Sequence, residues 1–268
     1  MTGRESQRMR GGPSRRQMLQ GLALAGAVCL GGAATALLRN RPRVAVLTHG
    51  DDLPEASPAI ARPAIVSRDE WGALPVNHSA LNENGFYQRD SNPYGWYVYR
   101  GELRDNYQTL IVHHSSFYEA DARATLLEAQ RLHRDDRHWA DIGYHYLIDI
   151  DGTIYEGRDL GARGVHTMGH NTGSAGLCLL GDYRFALPPK AQLQATEALG
   201  RWLVAELAIT HLAGHSQFNP STLCPGAALL ERLPDMAARL GLEYGTDGYV
   251  PTALAGDGCE CCGCLDLL

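Results

Sequence analysis

Thr109-Leu110-Ile111-Val112-His113-His114 is a short uncharged run that ends in two imidazoles. β-Branched residues hold three of its first four positions, so the run predicts a buried strand. Downstream, Asp121 is an N-cap candidate for a helix through about Arg137. Leu126, Ala129, Leu132 and His133 would share one face of it. Tyr144 to Ile148 is predicted as a second strand. Asp151-Gly152 supplies hairpin turn chemistry, and Thr153-Ile154-Tyr155 returns. Ala175 to Leu180 predicts another buried strand. Pro188-Pro189 opens a helix through about Ile209, with Leu199, Trp202, Leu203 and Leu207 inward. A last helix from Ala227 to Leu240 must bend or restart at Pro234. Strands alternating with helices predict an α/β class: a mixed central β-sheet flanked by helices in one domain.

The 268 residues suffice for one full-sized domain with accessory segments, and 44% apolar content is that of a globular protein. Residues 1–43 hold eight arginines against the single Glu5, a balance of +7. The remainder therefore carries -13 of the total -6. An acidic body excludes a nucleic-acid partner, whose phosphates call for clustered Lys and Arg. The basic N-terminus instead predicts targeting. Ser14-Arg15-Arg16-Gln17-Met18-Leu19 leads into an uncharged stretch from Gly21 to Leu38, the pattern of a twin-arginine signal over residues 1–38. A retained anchor is the alternative, because about 18–20 apolar residues span a bilayer. In either case the body works outside the cytoplasm, and membrane contact is expected only through an uncleaved N-terminal segment. Residues 39–63 read as a linker, 64–244 as the domain, and 245–268 as a Gly- and Cys-rich tail outside catalysis. Cys29 lies in the signal, while Cys259, Cys261, Cys262 and Cys264 crowd the tail. Only Cys178 and Cys224 belong to the body, so no disulfide framework is expected.

Chemistry concentrates at His113-His114, at His215 and at Cys224-Pro225-Gly226. Two imidazoles and a thiolate are good zinc ligands, and three protein ligands leave a fourth position for water. Taken singly, each residue reads first as a core or surface histidine or as a buried or disulfide-bonded cysteine.

Ordered motifs carry a resemblance. Ser67-Arg68-Asp69-Glu70-Trp71-Gly72-Ala73, Ile111-Val112-His113-His114-Ser115, and Trp139-Ala140-Asp141-Ile142-Gly143-Tyr144-His145-Tyr146 come first. Asp151-Gly152-Thr153-Ile154-Tyr155-Glu156-Gly157-Arg158, Gly164-Val165-His166 with Asn171 and Ser174, Gly214-His215, and Thr222-Leu223-Cys224-Pro225-Gly226 follow. From about Ile65 to Arg239 the chain resembles the type 2 N-acetylmuramoyl-L-alanine amidases and the peptidoglycan recognition proteins. The resemblance implies Zn2+ held by His113, His215 and Cys224, with Tyr144 and Thr222 acting on the developing oxyanion. It implies that His166, Arg158, Trp139 and His114 meet a peptidoglycan or muropeptide substrate, Arg158 gripping the extra carboxylate of a diaminopimelate stem. His138-Trp139 stands where the family usually has Gly-Trp, and eight residues rather than seven separate His215 from Cys224. The implied activity is hydrolysis of the amide between N-acetylmuramic acid and L-alanine by a monomer. A non-catalytic peptidoglycan-binding module is the alternative, disfavoured by the presence of both Cys224 and Tyr144.

Changing Arg15 and Arg16 together to lysine keeps the charge and removes the guanidinium pair. The expected outcome is folded protein retained in the cytoplasm, read by cell fractionation; undiminished export would assign the segment to general secretion or membrane insertion.

Overall fold

The computed structural model describes residues 60–80, 83, 96–247 and 249. The predicted signal, most of the linker and the four tail cysteines lie outside the described residues. Among the described residues, no helix is long and apolar enough to cross a membrane.

Strand β1 (Ile65–Val66) leads into helix α1 (Arg68–Trp71). The Ser67-x-x-Glu70 spacing makes a capping box: Ser67 Oγ accepts from the Glu70 amide, and the Glu70 carboxylate accepts the Ser67 N–H at 2.7 Å. Trp71 Nε1 then donates to the Glu156 carbonyl at 2.8 Å, fixing α1 against the sheet. Strand β2 (Thr109–His114) is buried along its whole length. Helix α2 (Ala122–Arg131) is capped by Asp121, whose carboxylate accepts the Ala124 N–H at 2.7 Å. The helix continues toward Arg137 as predicted, but its last turn widens into a π-helix over Leu132–Asp136. There His133 Nδ1 accepts the Gly143 N–H at 3.1 Å.

The chain continues through β3 (Tyr146–Ile148), β4 (Ile154–Glu156), β5 (Ser174–Leu179), α3 (Lys190–Glu206) and β6 (His211–Gly214). It ends in α4 (His215–Phe218), α5 (Ala227–Leu230), α6 (Leu233–Leu240) and β7 (Glu243–Tyr244). The strand predicted from Tyr144 starts at Tyr146, and α3 stops short of Ile209 because Leu207 turns extended. The last helix is two, with Pro234 in the first turn of α6, where its missing N–H costs nothing. Strands β1, β6 and β7 span only two to four residues, too few for a period to show.

The seven strands form one sheet in the order β1-β4-β3-β5-β2-β6-β7. Only the β3–β4 hairpin pair is antiparallel. Side chains alternate between faces along a strand. Leu110, Val112, Leu177 and Leu179 therefore meet Leu199, Leu203, Leu233 and Met236 of α3 and α6. Leu147, Cys178 and Leu180 meet Trp71, Leu126 and Ala129 beside α1 and α2. The same alternation sends His113 to the α2 face.

Gln192 of α3 is fully buried and ties this layer together. Its Nε2 donates to the Ile148 and Leu180 carbonyls at 2.8 and 3.1 Å, and its Oε1 accepts the Tyr183 hydroxyl at 2.6 Å. Gln192→Leu removes these three bonds, leaving the Ile148 carbonyl to the Leu180 N–H and the Leu180 carbonyl to the Tyr183 hydroxyl, and should lower stability by about 1–3 kcal/mol, measured by urea unfolding.

Candidate metal centre

The site follows from strand register. Strands β2 and β6 are parallel neighbours, with Val112 opposite Gly214. The next residues are His113 and His215, so both imidazoles emerge at the same level, their ring centroids 4.7 Å apart. Cys224 arrives from the loop between α4 and α5. Its Sγ lies 3.5 Å from His113 Nδ1 and accepts the His114 N–H at 3.4 Å. The Ser216 amide holds the Cys224 carbonyl at 2.8 Å. The eight residues from Ser216 to Leu223 are absorbed by α4 and a turn in which Asn219 Oδ1 accepts from Ser221. One potential ligand atom from each of His113, His215 and Cys224 lies within 4.8 Å of the others, the only such group among the described residues.

This donor set fits a soft or borderline divalent ion. Burial, then the neighbouring His215 and His166, holds His113 well below the usual imidazole range. Burial, then His114 and His170, brings His215 down to about 4. Both rings are therefore neutral near pH 7, with lone pairs to give. Burial pushes the Cys224 thiol up to about 12, against the lowering effect of the His114 N–H. A cation must replace that proton, which is how a thiol couples metal binding to proton release.

Tyr144 packs its ring against His113 at 5.0 Å. Burial first, then the nearby Cys178 and Cys224 thiols, raises its phenol well above the ordinary value, so it remains a proton donor. Thr222 Oγ1 accepts the Cys224 N–H at 3.2 Å, leaving its own proton to donate.

Of the four residues expected to face substrate, three are turned inward. His114 is buried, its Nδ1 accepting the Tyr183 N–H at 3.1 Å and its Nε2 2.9 Å from the Ser116 hydroxyl. His166 is also buried, its Nδ1 3.0 Å from His113 Nε2 and 3.0 Å from Thr167 Oγ1. It touches the candidate ligand His113. Gly176 makes room for it, since a Cβ there would fall 2.7 Å from the imidazole.

Arg158 is 1% exposed, and each of its N–H groups has a partner in the protein. Nε donates to Ile142 O, Nη1 to Glu83 Oε2 and Arg163 O, and Nη2 to Glu83 Oε1 and Asp141 O, at 2.8–3.2 Å. Glu83 Oε1 also accepts the Ala140 N–H at 2.8 Å. A stem-peptide carboxylate can reach this guanidinium only by displacing Glu83. Trp139 is half-exposed, against His133 at 4.8 Å, with the Arg137 guanidinium 5.3 Å from its ring.

Sequence reasoning missed Glu83, Cys178 and the Tyr249 contact. Cys178 lies opposite His113 in the β2–β5 register, and its thiol and the Tyr144 phenol shift one another's titration, a pairing across strands that no local pattern announces. Tyr249 belongs to the segment predicted to stand outside catalysis. It nevertheless packs on His170 and Phe218, on the loop and helix beside the site.

Residues 103–227 match the family profile described as N-acetylmuramoyl-L-alanine amidase. Peptidoglycan-recognition protein LB of Drosophila melanogaster is 31% identical over 182 residues, covering 65% of this chain and 69% of that one. The N-acetylmuramoyl-L-alanine amidase of Homo sapiens is 36% identical over 114 residues, 41% of this chain but 20% of the human protein. Among solved structures, peptidoglycan recognition protein-LE in complex with tracheal cytotoxin aligns with a TM-score of 0.52 at 27% identity, over 64% of this chain and 93% of that one. With its sheet, its ordered motifs and these relatives in agreement, the chain belongs to the family of N-acetylmuramoyl-L-alanine amidases and peptidoglycan recognition proteins.

Proposed function

We propose that this protein is a zinc-dependent N-acetylmuramoyl-L-alanine amidase that hydrolyses the amide between N-acetylmuramic acid and L-alanine. The convergence of His113, His215 and Cys224 within 4.8 Å, with Tyr144 against the first of them, carries the reading. Zinc held by these three side chains would supply a Lewis acid for the amide carbonyl and a lowered pKa for water.

The chain's own residues do the rest. Two neutral imidazoles and the Cys224 sulfur provide the ligand set. The Tyr144 phenol keeps its proton at neutral pH and donates a hydrogen bond to the carbonyl oxygen as negative charge develops there. The Thr222 hydroxyl, beside Cys224, offers a second neutral donor. Trp139 presents a half-exposed aromatic edge to the muropeptide. A solved relative is described as bound to tracheal cytotoxin, a monomeric diaminopimelic acid-type peptidoglycan, which supports this substrate class. The protein acts as a monomer outside the cytoplasm, after export directed by Arg15 and Arg16.

Cys224→Ser should lose most bound zinc and all useful activity, because a serine hydroxyl is a poor ligand at neutral pH. Tyr144→Phe should keep the metal and lower turnover about 10²-fold or more, the usual scale for one oxyanion donor. Zinc content together with muropeptide cleavage decides. A metal-free Cys224→Ser protein as fast as the wild type would overturn the proposal in favour of a binding module.

Arg158→Ala tests the stem-peptide role. It strands the Glu83 carboxylate without its cation, and the expected loss is about 3–5 kcal/mol of stability by urea unfolding. Unchanged stability with a selective loss of diaminopimelate-type substrate would restore the direct contact.

A further inference from the structure

We propose that Tyr249 is a positioning residue that staples the two segments carrying the metal centre. The inference rests on the proposed metal site and extends it to a residue beyond the last strand.

Strand β7 ends at Tyr244, and the chain then returns toward the site. The Tyr249 amide donates to the Thr246 carbonyl at 3.0 Å, closing a turn. Its ring packs on Phe218 (centroids 5.4 Å apart, planes at 76°) and on His170 (5.2 Å, 60°). Phe218 and His170 also touch each other, at 4.7 Å. The Tyr249 hydroxyl donates to the Thr172 carbonyl at 2.5 Å.

Each contact lands on a segment that either carries a candidate ligand or touches one. Phe218 closes α4, which begins at His215, and the Asn219 N–H returns to the His215 carbonyl at 3.0 Å. His170 and Thr172 belong to the loop that starts at His166. Within it, Asn171 Oδ1 accepts the amides of both His166 and Thr167 at 2.7 Å. Those two side chains reach His113 Nε2 at 3.0 and 3.4 Å. One tyrosine thus couples the helix that delivers His215 to the loop that orients His113. Ligand orientation by outer contacts of this kind is worth about 10–100-fold in metal affinity.

Zinc affinity by chelator competition and amide exchange of residues 166–173 and 215–218 are measured for six variants. Ending the chain after Tyr244, or Tyr249→Ala, should weaken zinc binding about 10-fold or more and speed exchange in both segments. Ending it after Thr252, which keeps Tyr249, should leave both at wild-type values. Tyr249→Phe retains the ring stack and should recover most of the affinity. Combining Tyr249→Ala with Phe218→Ala should cost less than the sum of the two single losses, because both remove the Phe218–Tyr249 stack. Wild-type affinity and exchange in Tyr249→Ala would overturn the proposal, as would equal losses when the chain ends after Thr252. Should the wild type itself bind no zinc, the amidase reading fails, and exchange in the metal-free protein still decides the staple.

Discussion

The site depends on the parallel pairing of β2 and β6, which sets Val112 opposite Gly214. Strand β6 ends at Gly214 and β2 runs on through His114, so the residue that follows each member of this pair is a histidine. Backbone hydrogen bonds, rather than contacts between the histidines, bring these rings together. A slip of one residue along either strand would move its side chains to the other face and separate the ligands. Cys224 completes the set through bonds to the same two segments, to the His114 amide and from Ser216. The candidate ligand set is thus assembled at the level of the main chain.

Around it lie further buried imidazoles. His114, His145 and His166 are all buried, and each has polar partners inside the fold. Burial in a low-dielectric region disfavours their charged forms and leaves neutral rings that accept or donate single hydrogen bonds. A wall of neutral, fully partnered rings can hold the ligands in place without competing for the cation. The buried Arg158–Glu83 pair serves the fold in a related way, joining residue 83 to the segment from Ala140 to Arg163. Its geometry satisfies the guanidinium completely, which is the condition for burying such a pair at tolerable cost.

The motifs that mark the family have separate physical duties. Ser67 to Glu70 caps a single helical turn, and Trp71 fastens that turn to β4. Asp151-Gly152 closes the hairpin, with Gly152 at φ 92 where a side chain would be strained. The segments around His113, Tyr144, His215 and Cys224 carry the candidate site. The tail residue Tyr249 joins them through ring packing and a hydrogen bond to the Thr172 carbonyl.

Strong local patterns were legible in the sequence: the apolar run into His113, the Asp121 cap, the Asp151-Gly152 turn, and the helix restart at Pro234. So were the ligand candidates, because imidazole and thiol side chains with ordered neighbours are rare enough to stand out. Strands β1, β6 and β7 were not legible, being too short to carry a period and existing only as partners of other strands. The inward turn of Arg158 was hidden as well, since Glu83 meets it across 75 residues. Sequence by itself determined the α/β class, the family and the residues able to bind a metal, because each rests on local pattern or residue chemistry. Tertiary structure alone decided which polar side chains face inward and that Tyr249 belongs to the site, because burial and partnership are properties of neighbours distant in the chain.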